Sequence, residues 1–238
     1  MSDLFDVIDT TWPATRYETL GPWLLREGAG GGQRVSATSL VGDFDADRIG
    51  AAETAMVAMG QPRLFMIRPQ DTELDAALDA RGYAIKDPVN IWACPVTHLT
   101  DTPLPRVTVF PIWRPLAIME DMWAEGGIGP GRLAVMDRAR GPKTGILGRK
   151  NDQPAGTAFV AMAGKTAMLH ALEIRPHQRR KGMGQWFMRC AAFWAADQAA
   201  EQLTVICTKA NQGANGLYAS LGMEVVGQYH YRILPTET

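Results

Sequence analysis

The stretch Ile174-Arg175-Pro176-His177-Gln178-Arg179-Arg180-Lys181-Gly182-Met183-Gly184 decides how this chain folds. Before it, residues 167–174 read as a β-strand that follows a turn at Gly164-Lys165. After it, from about 184 to 199, Phe187, Cys190, Ala191, Trp194 and Ala195 share one face of a helix. A loop between a strand end and a helix start presents unpaired backbone N–H groups. Glycines at 182 and 184 let the backbone turn tightly and aim those groups at one point. With charge added by Arg179, Arg180 and Lys181, the loop suits an anion such as a pyrophosphate. A cationic turn closed by glycine is the alternative reading. The G-x-x-x-x-G-K-[ST] spacing of a Walker loop is absent, as is the G-x-G-x-x-G order of a dinucleotide site.

Working outward, strands at 145–149, 156–163 and 167–174 are punctuated by Asn151-Asp152 and Gly164-Lys165. A strand at 203–207, a helix at 214–221 and a final strand pair at 223–234 follow. Upstream lie a strand at 106–110, a helix at 115–124, a glycine-rich loop at 125–131 and a helix at 133–138. Trp186, Phe187 and Trp194 read as core aromatics, as do Trp113 and Trp123 unless they line a pocket. Nearer the N-terminus, strands are expected at 23–26 and 34–40, joined by a flexible glycine-rich connection at 28–32. A helix at 45–59 ends at Gly60 and Pro62; a strand at 64–67, a helix at 74–80 and a strand start at 83–85 complete this part.

Three prolines in residues 95–105 read as a linker, dividing the chain into a lobe at 1–95, a linker at 96–105 and a lobe at 106–238. Leu74, Leu78, Gly82 and Tyr83 are spaced like Ala214, Tyr218, Gly222 and Met223. That spacing fits a diverged duplication, and two unrelated helix ends closed by glycine would produce it as well.

Twenty-four Lys+Arg against 25 Asp+Glu give a net charge of −1, which argues against nucleic acid or an anionic membrane surface as partner. No apolar run reaches 18 residues, so no spanning helix is expected. Cys94, Cys190 and Cys207 form no C-x-x-C pair and fit a reducing, cytoplasmic setting. The four histidines lack metal-ligand spacing, so no metal is expected.

Arg179-x-x-Gly182-x-Gly184 between a strand and a helix resembles the acyl-CoA signature of the GCN5-related N-acetyltransferase (GNAT) family. Asn211-x-x-Ala214-x-x-Leu217-Tyr218-x-x-x-Gly222-Met223 resembles that family's second signature at the expected separation. The resemblance covers 106–234 and implies an α/β (α+β) GNAT fold: a mixed, mostly antiparallel central sheet with helices on both faces. The N-terminal lobe would be a degenerate copy in tandem.

The implied activity is acetyl transfer from acetyl-CoA to a primary amine, on a small molecule or peptide, by direct attack in a ternary complex. The rival is a non-catalytic acyl-CoA-binding sensor on the same fold. The resemblance assigns backbone groups near Leu172 and Ile174 to pantetheine, and the amides of Arg179, Arg180, Lys181, Gly182, Met183, Gly184 and Gln185 to the pyrophosphate. It assigns Asn211 to the pantetheine arm and Tyr218, as general acid, to the leaving sulfur. The general base is open: Glu173 and His170 are candidates, expected on opposite faces by strand alternation. The alternative for Glu173 is a carboxylate paired with Arg175 or Arg180. The loop at 125–131 corresponds to the family's substrate-side loop. The N-terminal lobe has no R-x-x-G-x-G equivalent and is expected to bind no CoA and to wall the acceptor cleft. The acceptor's identity, the acyl length and a homodimer are left open.

Overall fold

A computed structural model describes residues 3–235. In chain order the elements are α1 (Leu4–Thr11), β1 (Arg16–Leu20), β2 (Trp23–Glu27), β3 (Ser39–Leu40), α2 (Ile49–Ala58), β4 (Leu64–Ile67), α3 (Thr72–Ala80) and β5 (Ala84–Pro95). They continue with β6 (Val109–Ile112), α4 (Ala117–Glu125), α5 (Pro130–Arg138), β7 (Lys143–Lys150), β8 (Gln153–Ala163), β9 (Thr166–Ile174), α6 (Met183–Asp197), β10 (Gln202–Thr208), α7 (Gln212–Ser220) and β11 (Glu224–Ile233).

Eight strands form one sheet in the order β4-β11-β5-β10-β9-β8-β7-β6. Every neighbouring pair is antiparallel except β9 and β10, which run parallel. The sheet is covered on both faces, so its middle strands are apolar throughout: β8 is buried from Ala155 to Met162. Alternation sends Val160 to the α6 side, with Phe187 and Leu169, and Phe159 to the opposite side, with Trp12, Met119 and Trp123. The mixed, mostly antiparallel sheet flanked by helices is the architecture expected from the sequence.

Both halves of the chain follow the same helix–strand–helix–strand course. Adding 140 to a residue number carries β4 onto Thr204–Cys207 of β10, α3 onto α7 and Gly82 onto Gly222. The last strand of each course pairs with the other course. Ile67 opposes His230 and Leu64 opposes Ile233; their equivalents Cys207 and Thr204 oppose Asn90 and Ala93. Between them β5 and β11 pair about a local two-fold, Glu224 opposite Ala93 and Ile233 opposite Ala84. The last strand of each course is thus paired with the other course, not with its own. The stretch that follows β5 is also tied down: Arg189 of α6 donates to the Leu99 carbonyl at 3.1 Å and pairs with Asp101.

Two local expectations are corrected, and β5, α1 and β1 go beyond what was expected. Residues 34–40 are not one strand: Gln33–Val35 is a 3₁₀ turn and only Ser39–Leu40 is extended, because the chain must bend Arg34 toward the main sheet. The end of the chain is a single bulged strand, β11, not a pair. Tyr83 leads into a strand of 12 residues, β5, whose partners lie far away in sequence. Helix α1, only eight residues long, and the fully exposed strand β1 were not anticipated.

Because β5 separates β10 from β11, residues 106–238 expressed alone leave two strands without their shared neighbour. We expect that fragment to give no cooperative thermal transition by circular dichroism, and co-expression with residues 1–105 to restore one.

Candidate active site

The parallel pairing of β9 with β10 runs from Thr166/Gln202 to Leu169/Val205 and then stops. Beyond it, residues 170–174 and 206–208 diverge. The cause lies in β9, which carries one residue more than β8 between the Thr157–Glu173 and Phe159–His170 pairs. This β-bulge places Ala171 at φ +50. The carbonyl of Ala171 is met by the indole N–H of the fully buried Trp123, at 2.8 Å. The parted edges open a cleft of about 830 Å³ that includes Leu172, Ile174, Gly182, Asn211 and Tyr218 in its walls.

The opposite wall is held by a residue that sequence reasoning missed. Asn215 Oδ1 accepts from Asn90 Nδ2 at 3.0 Å, Trp92 Nε1 at 3.1 Å and Cys207 Sγ at 3.3 Å. Its Nδ2 donates to the carbonyls of Thr208 at 3.0 Å and Asn211 at 2.8 Å. Asn215 therefore ties α7 to β5 and β10. The available signal was spacing, since Asn211, Asn215 and Tyr218 fall at i, i+4 and i+7 on one helix face.

At the loop end of the cleft, Arg180 and Gly182 both take positive φ, +58 and +79. The two glycines serve different purposes. Gly182 supplies the left-handed turn, whereas a Cβ on Gly184 would lie 2.7 Å from Leu217 Cδ2, so Gly184 permits α6 to approach α7. No side chain caps α6 and no acid lies in its first turn, leaving its amides open to an anion. Arg180 and Lys181 are exposed there, and Gln185 lines the cleft. The Met183 side chain is buried in the core, so this residue offers only its backbone. The buried Gln178 presents an Oε1 with no partner at the same wall. Asn211 caps α7, its Oδ1 accepting from Ala214 N at 3.0 Å.

Tyr218 is buried against Trp92, ring centroids 6.2 Å apart, and lines the cleft. Burial raises its phenol pKa, so the hydroxyl keeps its proton throughout the neutral range. Burial likewise pushes the Cys207 thiol up to about 11, so the cleft wall carries no thiolate at neutral pH.

Glu173 pairs with neither Arg175 nor Arg180. Its Oε1 meets Arg179 Nη2 at 2.7 Å, while Arg175 grips Glu125 through two contacts of 2.7 and 3.0 Å. The expectation that His170 and Glu173 point to opposite faces is also corrected. They oppose Phe159 and Thr157, which are two residues apart, so the bulge brings both to the same face. His170 is fully engaged. Its Nδ1 lies 3.0 Å from Arg34 Nη1, which can only donate, so Nδ1 accepts and the proton sits on Nε2, 2.9 Å from Thr11 Oγ1. Burial, then the charge of Arg34, holds its pKa well below the usual histidine value.

The glycine-rich connection at 28–32 proves to be packed tightly. A Cβ on Gly31 would sit 2.6 Å from Val135 Cγ2, and one on Gly131 would sit 2.4 Å from the Gly30 carbonyl oxygen. The connection is therefore clamped against α5 at Gly131 and Val135, and Arg34, two residues beyond it, lines the cleft. A Cβ on Gly126 would strike Glu173 Cγ at 2.5 Å. Trp123 is core and Trp113 is half-exposed beside Phe159, so neither lines the cleft. Among the described residues no cluster of three or more His, Cys, Asp or Glu is placed to hold a metal, and no helix is long and apolar enough to cross a membrane.

Residues 116–223 match the model of the acetyltransferase (GNAT) family. The chain is 25% identical over 237 residues to the "Uncharacterized N-acetyltransferase YobR" of Bacillus subtilis (strain 168), covering 94% of each. Its fold is similar to a GCN5-related N-acetyltransferase from Kribbella flavida, with TM-score 0.69, 17% identity, and 98% and 95% of the two chains covered. It is also similar to a functionally unknown conserved protein from Staphylococcus epidermidis ATCC 12228, with TM-score 0.70, 8% identity, and 97% and 98% covered.

Two outcomes follow from the side-chain network. Asn215→Leu strands three donors and should cost about 1–3 kcal/mol in urea denaturation. The depressed pKa of His170 means the unfolded chain binds a proton near pH 6.5 that the folded chain refuses. Its stabilisation is complete above that pH and declines as pH falls below it. His170→Gln should flatten the dependence of Tm on pH between about 6.5 and 5.

Proposed function

We propose that this chain, whose residues 116–223 match the model of the acetyltransferase (GNAT) family, transfers the acetyl group of acetyl-CoA to a primary amine by direct attack in a ternary complex. One observation carries the reading: a single cleft runs from the bare N-terminus of α6, between the parted edges of β9 and β10, to the buried hydroxyl-bearing Tyr218. The thioester supplies an acyl group activated toward amines.

The amides of residues 179–185 receive the pyrophosphate, with Arg180 and Lys181 adding charge and Gln178 Oε1 available to a donor on the ligand. Backbone groups at Leu172 and Ile174, left without a β10 partner, pair with the pantetheine amides, and Asn211 closes on the arm from α7. An alkyl amine with pKa near 10.4 is mostly protonated at pH 7, and removing that proton costs about 4–5 kcal/mol. Glu173 takes it, directly or through water, once Arg179 turns toward phosphate. As the amine displaces the thiolate, the Tyr218 hydroxyl donates to the departing sulfur. The raised pKa of Tyr218 makes it a steady hydrogen-bond donor rather than a strong acid. His170 is excluded as base by its two occupied nitrogens.

The N-terminal segment is a degenerate copy that binds no CoA. The positions equivalent to 179–184 are 39–44, and Asp43, Asp45 and Asp47 gather negative charge where a phosphate loop would need the reverse.

Isothermal titration should show one acetyl-CoA per chain and at least a 100-fold weaker affinity in Gly182→Glu, whose carboxylate would enter the anion site. A second equivalent would refute the degenerate-copy reading, and no binding by the wild type would refute the acyltransferase. Tyr218→Phe should retain that affinity and lower kcat by about 10²-fold in a thiol-release assay.

A further inference from the structure

Resting on the acetyltransferase reading, we propose that the acceptor amine carries a carboxylate, and that Arg34 is the residue that selects it. Arg34 comes from the N-terminal segment, on the 3₁₀ turn Gln33–Val35, and lines the cleft beside His170 and Ala171. His170 faces Phe159 and Trp12, away from α6 and α7, so Arg34 approaches on the sheet face opposite the one that bears the anion loop helix. A donor entering from the α6 side and an acceptor entering from the Arg34 side would meet at the bulge.

The guanidinium lacks a counter-charge. Nη1 bonds a neutral imidazole nitrogen, Cζ lies 5.7 Å from the Trp12 ring centre, and the buried Nε has no partner. No described carboxylate comes within ion-pair distance of it. This fold does otherwise for its most buried arginines: Arg26 is met by Asp9, and Arg232 by Asp75 and Asp79. Arg68 and Arg138 also have an unpartnered Nε, but neither lines the cleft. A half-buried cation with a buried, unpartnered Nε in the wall of a cleft is incomplete until an anion arrives, and a carboxylate fits the guanidinium fork.

Glu173 fixes the polarity. It lies on the same face of β9 as His170, two ladder positions along, about 7 Å by strand rise. A positive group and a negative group therefore flank the bulge. An amine directed to Glu173 leaves a carboxylate on the same short skeleton directed to Arg34, which is the charge pattern of an amino acid. The reversed orientation opposes like charges at both ends. The packing of the 28–32 connection against Gly131 and Val135 of α5 holds Arg34 in place before the acceptor binds, so little ordering is left to accomplish.

The test compares kcat/KM at saturating acetyl-CoA for the twenty standard amino acids, β-alanine and 4-aminobutyrate against their methyl esters. The wild type should prefer at least one free acid over its ester by about 10- to 100-fold, mainly through KM. Arg34→Met should collapse that ratio toward one, and Arg34→Lys should restore it in part. The ratio is read within each variant, so partial misfolding does not imitate the result. Titration of the N-acetylated acid and its ester into the CoA complex should give the same discrimination without turnover. Free acid and ester accepted equally, a ratio untouched by Arg34→Met, or acceptance of none of the free acids by a protein that binds acetyl-CoA would each overturn the assignment to Arg34 alone. Failure to bind acetyl-CoA would overturn the acetyltransferase reading and this one with it.

Discussion

One extra residue in β9 organises the functional half of the molecule. The bulge at Ala171 turns the strand away from β10 after Leu169, and the cleft exists because those edges part. Such a bulge leaves backbone groups without ladder partners, which is unfavourable inside a protein unless something else meets them. Trp123 meets one, from a helix 48 residues earlier in the chain. Arg179 Nε meets another, the Ile174 carbonyl, and along the rest of the cleft edge a ligand with amide groups can take the place of the missing strand. The same insertion reverses strand parity, setting His170 and Glu173 on one face and giving that face its charge pattern.

The two walls of the cleft are stiffened by different means. On the α6 side a glycine removes a side chain so that two helices can touch, and Asn215 gathers six polar contacts that leave α7 little freedom. On the far side, the N-terminal segment closes over the sheet through glycine-to-glycine contact and delivers Arg34. The exchange of last strands between the two halves makes this closure part of the fold. Neither half has its own complete set of strand neighbours, so the N-terminal segment is held in register with the site it borders.

Glycines illustrate what can be read in advance. Gly182 was legible because a strand, a cationic loop and a helix surround it in sequence, and a left-handed turn is a local property. The run at 28–32 suggested freedom, whereas it is tight where Gly30 meets Gly131 and Gly31 meets Val135; in the run at 125–131, Gly126 is pressed against Glu173 while Gly127 and Gly129 stand clear. Nothing local distinguishes a glycine that bends from one that admits a neighbour. Likewise the loop chemistry, Asn211 and Tyr218 were legible as spaced motifs, while Asn215 and Arg34 were not, since their partners are Asn90, Trp92 and His170, up to 136 residues away.

The sequence by itself determined the strand–loop–helix with its bare amides, the order of most sheet strands and helices along the chain, and the near-neutral net charge. These depend on propensities and charges carried by neighbouring residues. Tertiary structure alone decided the parity of β9, the pairing of Glu173 with Arg179, the tautomer of His170 and the place of Arg34. Each of those depends on which distant groups packing brings within hydrogen-bond reach, and a count of residues along the chain does not contain that distance.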